Sequence, residues 1–220
     1  MKKKGDLKKS LEKYWKAIIT FLGAFWYFAW KDDSPQGWVV SIIIIFIFIK
    51  FIFFPVLSLV TGTSLPLAIV ESCSMYHDGN VFSNFDGWWD KHESKYAPYI
   101  INDLDFRDFA FKNGFNKGDI LFIVGAKPEK LEVGDVIIFN AGRNNPIIHR
   151  IRTIENTEGK YTFSTIGDNN NGQLSIEKEI SSEQLVGKAL PIRLPYIGWL
   201  KLAFYEPSRP VSEKGFCDER

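Results

Sequence analysis

The chain has 220 residues, with 27 Lys or Arg against 26 Asp or Glu, so its formal net charge at pH 7 is +1. This length allows one medium-sized domain plus an anchor, and the balanced charge gives no global field that would attract nucleic acid. Two cysteines, Cys73 and Cys217, lie far apart without metal-ligand spacing. The sequence therefore suggests neither a disulfide framework nor a zinc site, and we expect no cofactor or metal.

The first 36 residues predict a lysine-rich cytoplasmic segment followed by an interfacial helix. Lysines crowd residues 2–16, which is an orientation signal for a membrane protein. Residues 17–30, AIITFLGAFWYFAW, are apolar and rich in Trp and Tyr. This stretch is short for a span, which needs about 20 residues, and its rings favour the headgroup level. The alternative that residues 17–30 cross the membrane stays open.

Residues 37–62 predict a transmembrane helix, because WVVSIIIIFIFIKFIFFPVLSLV, residues 38–60, is predominantly apolar and Lys50 is its only charged residue. A buried core helix and a cleavable signal peptide are the alternatives; the run is too apolar for the first and too long for the second. Lys50 is expected to snorkel or to face a helix partner, and Pro55 predicts a kink. The positive-inside bias predicts a single-pass protein of the cell membrane, with everything after Thr61 extracytoplasmic.

Residues 63–205 predict a mainly β, antiparallel domain, since short β-branched runs alternate with Gly, Asn and Pro turns. The predicted strands cover residues 119–125, 135–140, 147–154, 161–167 and 185–195. Residues 81–116 lack a regular period and are interpreted as an insertion with a short helix. A second short helix is expected within PYIGWLKLAFYEPSRP, residues 195–210, and residues 206–220 form a C-terminal tail.

The candidate chemistry lies in AIVESCSMYHDGN, residues 68–80, directly after the apolar run. A nucleophilic serine needs a base within hydrogen-bond reach, and the chain has three histidines. His77 is interpreted as a surface turn residue and His92, within DKHESK, as a solvated one. His149, inside a predicted strand, is either a hydrogen-bonded core histidine or a base.

Four motifs together resemble the type I signal peptidases, most closely the archaeal branch and the catalytic subunit of the endoplasmic reticulum enzyme. They are ESCSM after the membrane run, KGDILFIVG, VGDVIIFNAGRNNPIIHRI and TIGDNN, within residues 65–197. This resemblance implies a β catalytic domain that cleaves signal peptides from secretory proteins, with a serine in S-x-S-M as nucleophile. It also implies a histidine base, where the bacterial members carry lysine.

Carried over by motif, the resemblance implies that Ser74 is the nucleophile, His149 the base and Asp168 the family's acidic residue. The Ser74 amide and the Ser72 hydroxyl are the candidate oxyanion donors. Relatives usually show a further aspartate after the GDNN motif, and here that stretch, NGQLSIEKE, has none. We therefore expect Asp168 to orient His149, with Glu177 as the alternative. Cys73 is interpreted as a small packing residue rather than a thiol nucleophile.

The resulting hypothesis is a membrane-bound serine endopeptidase that acts on signal peptides of preproteins emerging from the translocation channel. Its other expected contact is membrane lipid, nucleic acid is not an expected partner, and the need for accessory subunits stays open. The alternative is a non-catalytic, membrane-tethered β module for binding or assembly, which the missing aspartate favours.

Overall fold

In the computed structural model, residues 2–31, 34–79, 85–143 and 145–218 are described. The chain divides into two compact units, Met1–Leu57 and Ser58–Arg220. The first unit is helical, and the second contains a seven-stranded sheet. The expected boundary between anchor and catalytic domain, residues 62 and 63, lies a few residues beyond this division.

Two long helical runs make up the N-terminal part of the chain. Helix α1 spans Lys2–Lys31, and a second run, Pro35–Thr61, contains α2 (Pro35–Phe48), a π-helical segment (Ile49–Phe53) and α3 (Phe54–Thr61). Ser34 caps the second run, because its Oγ accepts from Gly37 N at 3.1 Å. The interfacial position expected for residues 17–30 stays a prediction.

The second helical run has the length and composition of a membrane span. It has 27 residues, and its most apolar 18-residue window has a mean hydropathy of 2.9; within the described ranges it is the one helix that meets both criteria. The π-helical segment ends at Phe53, two residues before Pro55, which lacks the backbone N–H that a regular α-helix needs there. Within that segment, Lys50 Nζ lies 6.0 Å from the Phe46 ring centroid and 5.4 Å from that of Phe51.

The sheet of the second unit has the strand order β1-β2-β7-β3-β4-β5-β6, and every neighbouring pair is antiparallel. The strands are β1 (Leu67–Ile69), β2 (Ile120–Val124), β3 (Val136–Phe139), β4 (Ile147–Thr157), β5 (Lys160–Ile166), β6 (Ile180–Ser181) and β7 (Leu185–Leu194). The predicted mainly β class is confirmed. Apolar side chains of β2, β3 and β7 form the centre of the core.

The β4–β5 hairpin contains the base candidate, His149, and leads directly to the acidic residue, Asp168. Its two-residue loop, Glu158–Gly159, has positive φ at both positions, 54° and 84°, as a type I′ turn requires. The turn sets the register from Thr157–Lys160 to Thr153–Ser164. An irregularity between Ile151 and Thr153 then shifts it by one residue, so that Arg150 pairs with Ile166 at the end of β5, just before the GDNN motif.

The expected insertion packs as an aromatic cluster. The structure describes it from Phe85 onward and finds α4 (Phe85–His92) and α5 (Asp103–Asp108); residues 81–84 lie outside the described residues. Its buried aromatic side chains are Phe85, Trp88, Trp89, Tyr96 and Phe106. The interpretations of His77 as a surface residue and His92 as solvated are wrong, because both are buried, and both rings stack on Trp88.

The C-terminal part packs on the β domain through a disulfide. Helix α6 spans Trp199–Tyr205, as the sequence predicts, and residues 206–218 follow it. Cys73 and Cys217 are disulfide-bonded across 144 residues. The expectation of no disulfide and of Cys73 as a small packing residue is therefore wrong.

Candidate active site

Ser74 lies in a turn that follows β1 and is fixed by backbone hydrogen bonds on both sides. Its carbonyl accepts from Asn169 N at 2.8 Å, and the carbonyl of the next residue, Met75, accepts from Phe115 N at 2.9 Å. The Met75 side chain is buried in the core, whereas Ser74 is half-buried. The turn therefore anchors its backbone while leaving the hydroxyl at the surface of a cleft.

His149 lies in the middle of the sheet, on β4, opposite Ile137 of β3. Its Nε2 is 2.8 Å from Ser74 Oγ, and the ring is 4 % exposed. The structure thus brings together the two residues, 75 positions apart, that the motif comparison pairs. A buried strand holds the imidazole rigidly, so the position of the ring itself does not depend on a loop.

Glu177, rather than Asp168, contacts the other nitrogen of this imidazole. Glu177 Oε1 is hydrogen-bonded to His149 Nδ1, and the carboxylate is fully buried. Oε1 also accepts from Thr165 Oγ1 at 3.3 Å and Oε2 from Leu174 N at 2.8 Å. Because a carboxylate only accepts, the ring proton sits on Nδ1, and Nε2 is left to accept from Ser74.

The loop between β5 and Glu177 is tied down by one side chain. Gln173 Nε2 donates to Ser164 Oγ at 2.6 Å, to Thr165 O at 2.9 Å and to Glu177 O at 3.0 Å. These bonds fold the loop back along β5, so that Glu177 returns to His149. The contact expected between Asp168 and His149 is therefore wrong, and Glu177, the alternative residue, makes that contact instead.

Gly167 allows the close approach of the two halves of the site. A Cβ at this position would lie 2.8 Å from His149 Nε2 and 2.8 Å from Ser74 O. Any side chain there would push the serine turn away from the imidazole, so glycine is required by space rather than by its φ angle.

Asp168 is fully buried in a polar cluster behind the serine turn. Its carboxylate accepts from Arg150 NH2 at 2.7 Å, from Tyr96 OH at 2.8 Å and from His77 Nε2 at 2.9 Å. Arg150 also donates to the carbonyls of Ala110 and Gly134. Asp168 directly precedes Asn169, whose N–H donates to the Ser74 carbonyl, so this cluster helps to hold the serine turn in place.

The pKa values of this cluster follow from burial and from charge pairing. Burial acts to raise the pKa of Asp168, but Arg150 and His77 outweigh it and hold that pKa below its usual range. Burial lowers the pKa of His77, although Asp168 opposes the shift. Burial also raises the pKa of the Tyr96 phenol well above its ordinary value. The cluster therefore consists of a charged Arg–Asp pair with neutral His77 and Tyr96.

Sequence reasoning does not single out Arg150 or Tyr96. The available signal for Arg150 is its place beside His149 in an apolar strand, where alternation turns the two side chains to opposite faces. A charged side chain on the second face of a buried strand requires a buried partner, which is Asp168.

Ser74 opens into a cleft of about 1060 Å³. Ser72, the other oxyanion candidate, is exposed at its edge, with Oγ 3.1 Å from Ser74 Oγ. Apolar side chains of β1 and of the segment before His149 line the cleft, and so do six residues near the C-terminus: Arg209, Ser212, Glu213, Lys214, Phe216 and Asp218.

Three curated proteins show what the chain is similar to. The signal peptidase complex catalytic subunit of Dictyostelium discoideum is 31% identical over 99 residues, covering 42% of this chain and 54% of that protein. The subunit of Lodderomyces elongisporus is 33% identical over 99 residues, covering 42% and 58%. That of Scheffersomyces stipitis is 39% identical over 57 residues, covering 26% and 34%. The first two matches span little more than half of those proteins.

No family model matches the chain. The resemblance to type I signal peptidases of the endoplasmic reticulum and archaeal type, predicted from four motifs, is nevertheless confirmed by these relatives.

Proposed function

We propose that this protein is a membrane-tethered serine endopeptidase that removes signal peptides from secretory preproteins. The observation that carries the proposal is the hydrogen-bonded series Ser74–His149–Glu177 beside an open cleft. The similarity to signal peptidase catalytic subunits supports the substrate class.

In the proposed mechanism, Ser74 Oγ attacks the scissile carbonyl carbon while His149 Nε2 takes the hydroxyl proton. Glu177 accepts a hydrogen bond from the Nδ1–H of His149 and stabilises the imidazolium that forms. The Ser74 amide and the Ser72 hydroxyl donate to the oxyanion of the tetrahedral intermediate. His149 then returns the proton to the leaving amine, and water hydrolyses the acyl-enzyme by the same route.

The substrate is proposed to bind as an extended strand beside β1. This strand lies at one edge of the sheet, and its three residues, Leu67–Ile69, line the cleft just before Ser74. Main-chain hydrogen bonds to an edge strand give affinity, and shallow apolar pockets select small side chains before the cleavage site. About a dozen residues separate Thr61 from Ser74, which keeps the site near the membrane surface where a scissile bond emerges.

Two features support the proposed single-pass topology with a cytoplasmic N-terminus. The Pro35–Thr61 helix is long enough to span a membrane, and lysines precede it. The Cys73–Cys217 disulfide suits an oxidising compartment outside the cytoplasm. The relatives are named as subunits of a signal peptidase complex.

The non-catalytic alternative loses its supporting feature. It depended on the absence of an aspartate after the GDNN motif, and Glu177 supplies a carboxylate to His149 in its place. If the site had lost its activity, selection would no longer keep Ser74, His149 and Glu177 in contact.

The direct test is cleavage of a preprotein by the full chain, purified alone in detergent and also reconstituted in vesicles. We expect a single cut after a small residue, mapped by the N-terminal sequence of the product. Ser74→Ala abolishes it, while Ser72→Ala, which removes an equivalent hydroxyl two residues away, only slows it. Wild-type protein that binds preproteins without cutting them in either preparation would support the binding module instead.

A further inference from the structure

Residues 206–218, here called the C-terminal strap, are bonded to the residues that precede Ser74. Arg209 NH1 donates to Glu71 O at 2.9 Å, and its NH2 lies 2.9 Å from Glu71 Oε2. At the other end, Cys217 is disulfide-bonded to Cys73, the residue before the nucleophile. The strap therefore runs beside residues 71–73 along the approach to Ser74.

A buried lysine holds the middle of the strap. Lys117, which is 1 % exposed, donates from Nζ to Glu206 Oε1 at 2.8 Å, to Glu213 O at 2.7 Å and to Gly215 O at 3.2 Å. Glu206 in turn accepts from Gly215 N at 2.6 Å. A lysine is buried at this cost only where carboxylate and carbonyl oxygens replace its water. The strap thus has a defined conformation.

The strap presents one large apolar ring to the cleft. Phe216 lines the same cleft as Ser74 and is 74 % exposed, although its ring contacts Trp199 with 5.2 Å between centroids. Val211, on the same strap, is 86 % exposed but does not line the cleft. A large apolar ring that lines a cleft and is mostly exposed adds little to the core. Such a ring is available to contact a ligand in the cleft.

We infer that Phe216 is a specificity-determining residue that contacts an apolar part of the bound preprotein, and that the Cys73–Cys217 disulfide holds it in the cleft. This inference rests on the proposed function for the identity of the ligand. Residues of the strap and of β1 line the same cleft, so a peptide bound at Ser74 is expected to contact both.

The first test measures contact directly and does not depend on cleavage. In the Ser74→Ala background, a photo-crosslinking phenylalanine analogue is placed at position 216, at Val211 and, as the positive control, at Ile69 of β1. With a radiolabelled preprotein, we expect crosslinks from positions 216 and 69 and none from 211. Crosslinks from 69 alone overturn the inference while leaving the proposed function standing. Absence of crosslinks from every position argues against both.

The second test measures specificity. Phe216→Ala is expected to raise KM for the preprotein about tenfold with kcat little changed, because an apolar contact to bound substrate is lost. Val211→Ala is the matched control and is expected to keep the wild-type KM. Equal effects of the two substitutions, or a loss confined to kcat, contradict a substrate contact at Phe216.

The third test addresses the disulfide. Cys217→Ser, Cys73→Ser and the double substitution are expected to raise KM to the same extent, and a dithiol reductant added to the wild type is expected to reproduce the effect. The reductant then leaves the double variant unchanged. If Cys73→Ser alone impairs the protein, the cysteine acts locally in the serine turn and the role given to the disulfide is wrong.

Discussion

Two buried carboxylates stand near the imidazole and the serine turn, and their neighbours decide their roles. Asp168 is paired with the Arg150 guanidinium, so its charge is already neutralised. Glu177 accepts from Thr165, from the Leu174 amide and from His149, with no cation among these contacts. Glu177 is therefore the carboxylate free to stabilise an imidazolium on His149.

This difference predicts opposite phenotypes for two isosteric substitutions. Glu177→Gln is expected to lower turnover by about 10³–10⁴-fold at unchanged Tm, since an amide donor facing Nδ1 favours the wrong tautomer. Asp168→Asn is expected to lower Tm strongly, because breaking a buried ion pair costs about 3–5 kcal/mol. Turnover and thermal unfolding are measured on each variant, with the exposed neighbour Glu179→Gln as the control.

A Glu177→Gln protein with wild-type turnover, beside a folded but inactive Asp168→Asn protein, would return the orienting role to Asp168. The sequence places both carboxylates within ten residues of each other and cannot rank them. The ranking depends on the path of the Gly167–Glu177 loop, which Gln173 sets through three hydrogen bonds, and on the partner of Arg150 across the core.

At the scale of elements, strands were predictable where β-branched runs end at Gly, Asn or Pro, as in β2, β3 and β7. The region from Phe85 onward was not, because its aromatic side chains follow no helical or strand period and pack around one another instead. The disulfide was unpredictable for a related reason. Its cysteines are 144 residues apart, and only the folded strap brings them together.

The length and composition of the apolar helix Pro35–Thr61 predict that the chain crosses the membrane once. Single cysteines are introduced as Lys13→Cys and Glu129→Cys in a chain lacking Cys73 and Cys217, and sealed vesicles are treated with an impermeant maleimide. We expect the two positions to react from opposite sides. Reaction of both from one side would mean that residues 17–30 also cross the membrane.

For the whole molecule, the buried polar cluster makes folding sensitive to acid. His77, faced by Asp168, Arg150 and His92, has a folded-state pKa lowered by burial, so the unfolded chain binds its proton more readily. Stability is therefore lost as pH falls through the unfolded value of about 6.5. The pKa of Asp168 is also lowered, so its contribution is present above about 3.9 and is lost on further acidification.

We therefore expect Tm to fall steadily from pH 7.5 to pH 5 at constant ionic strength, measured by thermal unfolding of the full chain in detergent. In His77→Asn, whatever its absolute Tm, the slope over this interval is expected to be shallower. A wild-type Tm that stays level or rises toward pH 5 would contradict the neutral, buried state assigned to His77.

Ser74 and His149 are proposed to act as one unit in peptide-bond hydrolysis, and the kinetics of single and double substitutions distinguish this from two independent contributions. Turnover of a preprotein is measured for Ser74→Ala, His149→Ala and the combination of the two. Residues that act as a unit have grossly non-additive effects, so each single substitution is expected to lower turnover by at least about 10³-fold and the double no further. If the loss in the double variant equals the product of the two single losses, or if turnover is retained without the Ser74 hydroxyl, the two residues do not form a catalytic unit.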